Sequence, residues 1–180
     1  MKIVDIFAKK LCSIAYKIKG SDAYDICEYD RLLDLWTDVS YLYQYAKSNN
    51  VKDINKFVKA RLKDATLIDD FLNELIEDNI PLDKYFHQLD NNETGFKLLS
   101  LRKGKTSKYD GLRFYAIKID DDCFLITGGA IKMSFKNKDH QDTREEMKKI
   151  KMVKAFLQKN DVVDIESFYE FRTELENYDK

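Results

Sequence analysis

The sequence predicts an α+β protein: N-terminal helices, then an antiparallel sheet of three or four strands, then C-terminal helices. Apolar residues recur at helical spacing through residues 1–89 and again beyond residue 140, whereas two-residue alternation is confined to residues 96–138. With one Pro and six Gly in 180 residues, little interrupts the helical stretches.

In residues 2–19, Val4, Phe7, Leu11, Ile14, Ala15 and Ile18 fall on one stripe, the spacing of an amphipathic helix that Gly20 would end. Ser21 or Asp22 can cap a longer helix to about residue 47, with Ile26, Tyr29, Leu33, Trp36, Val39, Tyr43 and Ala46 inward. Leu32, Leu35 and Leu42 widen that stripe, which implies packing on two sides. Asn49 and Asn50 break the pattern. Asp53 then caps a short helix and Thr66 another, which ends near Asp78 and Asn79. Pro81 suits the first turn of a further short helix carrying Leu82, Tyr85, Phe86 and Leu89, within which His87 reads as structural. The polar run at residues 90–95 is the clearest break in the chain.

Strands follow. Residues 96–102 form the first. In residues 112–119, Arg113, Tyr115, Ile117 and Ile119 alternate with Leu112, Phe114, Ala116 and Lys118. Asp120, Asp121 and Asp122 supply a solvated turn, residues 123–127 resume as a strand, and Gly128-Gly129 permits a turn or bulge. Residues 130–135 alternate again, with Ile131 and Met133 opposite Lys132. Register decides which basic side chains share a face, because a slip of one residue exchanges the faces. Beyond a charged loop, Thr143 and Glu146 have capping-box spacing for a helix ending near Lys159 and Asn160, and a last helix spans about residues 164–177. The chain thus divides into a helical extension over residues 1–50 and an α+β unit over residues 51–180, packed together.

Composition restricts the function classes. No apolar run approaches the roughly 20 residues that cross a bilayer, and Asp5, Lys9 and Lys10 interrupt the N-terminal pattern, so a cytoplasmic protein without a membrane partner is expected. Cys12, Cys27 and Cys123 are widely spaced and read as core thiols rather than a disulfide or zinc framework. The net charge of −1 conceals an uneven distribution: residues 96–160 hold 16 Lys and Arg against 8 Asp and Glu, while the segments on either side are acidic. A polyanionic partner and internal neutralisation by acidic helices both fit that asymmetry.

Phosphate-loop, dinucleotide, zinc-protease and serine-hydrolase motifs are missing, and two histidines, His87 and His140, make a poor ligand set, so neither a metal nor a cofactor is expected. What remains is basic: Arg102, Lys103, Lys105, Lys108, Arg113, Lys132, Lys136 and Lys138, with Tyr109 and Tyr115 among them. On a sheet face or its rim, such residues can grip phosphates and stack a base. The plain alternative is a solvated sheet face and a loop of lysines.

The segment order, with helices first, then LRKGK, GLRFYAI, a turn, FLITGGAIKM, a charged loop and a helix, resembles the RelE/HigB superfamily of bacterial toxin–antitoxin pairs over roughly residues 53–158. Those toxins are small α/β proteins that cut messenger RNA on the ribosome. The resemblance implies RNA binding, with RNA or the ribosome and an antitoxin protein as partners, and endoribonuclease activity. Its catalytic basic residues would fall at Arg102 or Lys103, at Arg113 and at Lys132. Lys103, Lys105, Lys108, Tyr109, Tyr115, Lys136, Lys138 and His140 are the RNA-binding candidates, with Tyr109 and His140 the candidates for the family's aromatic or imidazole group. The chain departs from the family in length, in its acidic ends and in its N-terminal segment. The alternative is a non-catalytic interaction module whose basic face is neutralised by acidic helices or an acidic partner.

Overall fold

Residues 2–19 do not form a helix. In the computed structural model, which describes residues 1–7, 10–89, 99–105, 111–133 and 141–178, they pair as an antiparallel hairpin of β1 (Lys2–Phe7) and β2 (Leu11–Ala15). Phe7 lies opposite Leu11, so an offset of four that reads as a helical turn is a cross-strand pair. All five residues of β2 are buried, which removes the alternation that identifies a strand covered on one side only.

The remaining strands are β3 (Phe86–Gln88), β4 (Ser100–Lys105), β5 (Gly111–Asp120) and β6 (Cys123–Lys132). Together they make one six-stranded sheet in the order β1-β2-β6-β5-β4-β3. It is mixed: β2 runs parallel to β6, with Leu11 opposite Phe124 and Ser13 opposite Ile126, and every other pairing is antiparallel. The α+β class stands. The expected antiparallel sheet of three or four strands behind N-terminal helices does not, because the hairpin supplies two strands and residues 86–88 a third beyond the meander.

Helices α1 (Glu28–Thr37), α2 (Val39–Ser48) and α3 (Ile54–Glu77) cover one face of the sheet, and α4 (Gln141–Lys159) and α5 (Ile165–Tyr178) the other. The single helix expected over residues 21–47 starts later and divides at Asp38. That carboxylate accepts the N–H groups of Ser40 (2.7 Å) and Tyr41 (3.1 Å), a cap that starts α2 on a new axis. The first turn of α1 is held from the sheet, where Ser13 Oγ accepts the Tyr29 N–H at 3.0 Å. Asp53 caps α3 as expected, through the Lys56 N–H at 2.9 Å, but Thr66 lies inside that helix and donates to the Leu62 carbonyl. Pro81 leads into a 3-10 turn at Leu82–Lys84 and then β3, so His87 is on a strand. Thr143 and Glu146 are buried within α4 and do not form its capping box. α5 starts at Ile165, close to the expected position, and Asp164 caps it by accepting the Ser167 N–H at 2.8 Å.

Each face has its own core. Under α1–α3, Phe114 packs between Tyr29 and Trp36 at centroid distances of 5.5 and 4.9 Å, and Phe86 stacks on Phe124 at 5.1 Å. Under α4 and α5, Ile150, Val153, Leu157 and Phe168 meet Ile14, Ile117 and Leu125. All three cysteines are buried free thiols, as the sequence leads one to expect.

Gly128 and Gly129 do not divide β6 into two strands. Ala116 lies opposite Ile126 and Tyr115 opposite Gly128, leaving Thr127 as the extra residue of a bulge in a continuous strand. The glycines are required by close approach from both layers. A Cβ on Gly128 would strike the Glu146 carboxylate from α4, and one on Gly129 would lie 2.5 Å from the Arg113 carbonyl oxygen and 2.8 Å from Leu32 Cδ1 of α1. Since backbone cannot yield as a flexible side chain does, Gly129→Ala is expected to cost about 3 kcal/mol, the upper end of the range for overpacked cores. Chemical denaturation with the slope m unchanged measures it; a cost below about 0.5 kcal/mol, the scale of neutral surface changes, would contradict this packing.

Candidate functional site: a cationic strip on the sheet

Cross-strand register gathers five of the basic side chains. On β5, Arg113 shares a face with Tyr115, Ile117 and Ile119, the face that α4 and α5 cover. Lys105 lies opposite Arg113, and Lys103 lies opposite Tyr115 on one side and His87 on the other. Beyond the bulge, Lys132 lies opposite Gly111 and so belongs to the same face, diagonal to Arg113. His87, Lys103, Lys105, Arg113 and Lys132 therefore form a strip across β3, β4, β5 and the end of β6, with neighbouring strands about 4.8 Å apart.

The electrostatics of the strip are those of crowded like charges. Burial, followed by the fields of Arg113 and Lys105, lowers the pKa of Lys132. His87, exposed on β3, is lowered by partial desolvation and then by Lys105 and Lys103, with Asp83 opposing. Arg113 is 3% exposed, and one of its guanidinium nitrogens donates to the Leu112 carbonyl at 3.1 Å. It raises the positive potential of the strip from beneath, while Lys105 and Lys132 lie nearer the surface. Lys103 donates to the Leu89 carbonyl at 2.9 Å, which tethers the chain just after β3.

The acidic α5 is anchored at the other end of the face, where Arg172 meets Asp5 of β1 at 2.8 Å.

Two expected members are placed elsewhere. Arg102 points to the opposite face, with its Nε donating to Ser100 Oγ at 3.1 Å and its guanidinium 3.9 Å from Asp83, a residue that also pairs with Lys118 at 2.7 Å. The sheet separates it from Arg113. Tyr115 is 1% exposed and cannot stack a base; burial pushes its phenol up to about 12 against the pull of Arg113. Lys108, Tyr109, Lys136, Lys138 and His140 lie outside the described residues. Conversely, His87 joins the strip although helical spacing marks it as structural. No local signal places it, because the three-residue β3 is defined by its pairing with β4 rather than by alternation of its own.

Among the described residues, no group of three or more His, Cys, Asp or Glu side chains is placed to hold a metal ion, and no helix is long and apolar enough to cross a membrane. Comparison with protein-family models, with curated proteins and with solved structures found no match to this chain. Fold and site define a mixed-sheet α+β protein with a cationic strip at one end of one face; nothing beyond the sequence pattern identifies the toxin family.

The lowered pKa of His87 fixes a sign. Its folded value lies below its unfolded value, so the unfolded chain binds the proton first, and stability falls as pH drops through the ordinary histidine range near 6.5. In a proton NMR titration, His87 should have its midpoint below 6.5, and Lys105→Ala should raise it. An unchanged midpoint in that variant would refute the coupling.

Proposed function

We propose that the chain binds RNA through this strip, with Lys105 and Lys132 contacting phosphates and buried Arg113 supplying positive potential beneath them. The observation that carries the reading is the gathering of like charges on one face: the Lys132 ammonium is destabilised by burial and then by the fields of Arg113 and Lys105. A fold that holds cations together against their repulsion has a site that a polyanion relieves. Single-stranded RNA fits better than a duplex, because the strip follows side chains on successive strands and can track one backbone.

The likeness to messenger-RNA-cleaving toxins extends the proposal to cleavage. A lysine whose ammonium is destabilised, as that of Lys132 is, can take the proton of a ribose 2′-hydroxyl. The oxygen then attacks phosphorus, the bond to the 5′ oxygen breaks as that oxygen takes a proton from water and leaves as a hydroxyl, and a 2′,3′-cyclic phosphate remains. The cationic surroundings favour the charge that develops on the phosphoryl oxygens.

Fluorescence anisotropy with a single-stranded RNA oligonucleotide tests binding. Affinity should fall with salt, and Lys105→Ala and Lys132→Ala should each reduce the slope of log affinity against log salt by about 0.7. Arg113 is unsuitable for this test because its burial makes a folding defect the first consequence of replacing it. No binding at low salt, or slopes unchanged in both variants, would overturn the reading. Cyclic phosphate ends that disappear with Lys132→Ala would establish the cleavage step; binding without them would leave a binding protein only.

A further inference from the structure

Beside the parallel pairing of β2 with β6, which reaches only Ser13 and Ile126, a crevice opens against the later part of β6. It has a volume of about 210 Å³ and is walled by Trp36 of α1, Tyr41 and Tyr45 of α2, and Asp142, Glu145 and Glu146 of α4. It is distinct from the cationic strip and carries the opposite charge.

The two cations at its rim are already engaged. Arg31 donates through Nε and Nη2 to both oxygens of Glu28, each at 2.8 Å. Lys149 donates to Glu146 Oε1 at 2.7 Å and lies 3.7 Å from Glu28. With Glu28 just behind the wall, four carboxylates face two cations. One acceptor is left over: Glu146 Oε2 is buried without a hydrogen-bond donor, on a side chain only 9% exposed. Oε2 rests against Gly128, behind the wall of the crevice, so a cation in the crevice offsets the cost of this buried charge through its field on the carboxylate. Burial also raises the Glu146 pKa, with Glu28 adding to the effect and Lys149 and Arg31 opposing it.

The aromatic wall narrows the chemistry. Tyr41 and Tyr45 lie 6.0 Å apart with their planes tilted by 41°, and Tyr45 is held by its hydroxyl, which donates to Asp142 at 2.8 Å. Ring faces beside carboxylates stabilise an organic cation. The carboxylate excess repels phosphate, and the volume is below the roughly 300 Å³ at which ordinary small-molecule sites begin.

We propose that this crevice binds an alkylguanidinium or alkylammonium head, from a free amine or from an arginine or lysine side chain of a partner, between the α2 tyrosines and the α4 carboxylates. The site does not depend on the RNA reading.

Calorimetric titration of the whole chain with arginine amide, and separately with a capped Gly-Arg-Gly peptide, tests it. Saturable one-to-one binding is expected, weakened at least about tenfold by Glu146→Gln, which removes a charge-assisted acceptor, and by Glu145→Lys, which puts a competing cation at the exposed rim. Lys105→Ala should leave it unchanged, which separates it from the RNA strip. Tighter binding of the peptide would assign the site to a partner's side chain, and tighter binding of arginine amide to a free amine. No saturation by either probe up to about 10 mM, a range weaker than any specific site of interest, would overturn the proposal, as would binding that survives Glu145→Lys.

Discussion

The extra residue at Thr127 governs the placement of everything downstream of it on β6. Before the bulge, Cys123 and Leu125 face α4 and α5, while Phe124 and Ile126 face α1–α3. A regular strand would continue that alternation and carry Lys132 to the α1–α3 face, into the aromatic core. With one residue inserted, Ala130 joins the core under α4 and Ile131 the core under α1–α3. Lys132 then arrives beside Arg113 and Lys105. The two glycines that follow make this tolerable. Both layers press directly on the backbone there, the Glu146 carboxylate on Gly128 and the Leu32 and Trp36 side chains on Gly129.

The same dependence explains what could be read in the sequence and what could not. Local chemistry was legible: the Asp53 cap, the break at Asn49 and Asn50, and the turn after Asp120 all occur where side chains hydrogen-bond nearby backbone or offer hairpin residues. Long-range pairing was not. The hairpin at residues 2–15 shares its apolar offsets with a helix, and its strand character is imposed by docking of β2 against β6, more than 100 residues away. For the site, the alternation on β5 correctly set Arg113 on one face. The separation of Arg102 from Arg113 rests on the register of Lys105 opposite Arg113, which no local pattern in LRKGK encodes.

The structure resolves the uneven charge along the chain into separate neighbourhoods. Asp83 gathers Arg102 and Lys118 on the α1–α3 face, while α5 brings Arg172 to Asp5 at the β1 edge. Half-exposed pairs of this kind add little stability. Their consequence is spatial: Arg172 holds the acidic C-terminal helix to Asp5 on β1, the sheet edge opposite the one that carries His87. The opposite imbalance collects around Glu28 and Glu146, where Lys149 bridges two buried carboxylates and also rests 5.6 Å over the Tyr16 ring.

These two poles are separated by little more than one strand pair. Gly128, against which Glu146 rests, lies opposite Tyr115, and Tyr115 lies opposite Lys103 of the strip. The Tyr115 phenol senses both, raised by Glu146 and lowered by Arg113. At such distances inside a protein, opposite potentials overlap, and the Tyr115 phenol is where the two meet. The bulge that places Lys132 and the glycine that admits Glu146 are adjacent residues, so one short stretch of β6 sets the geometry of both poles.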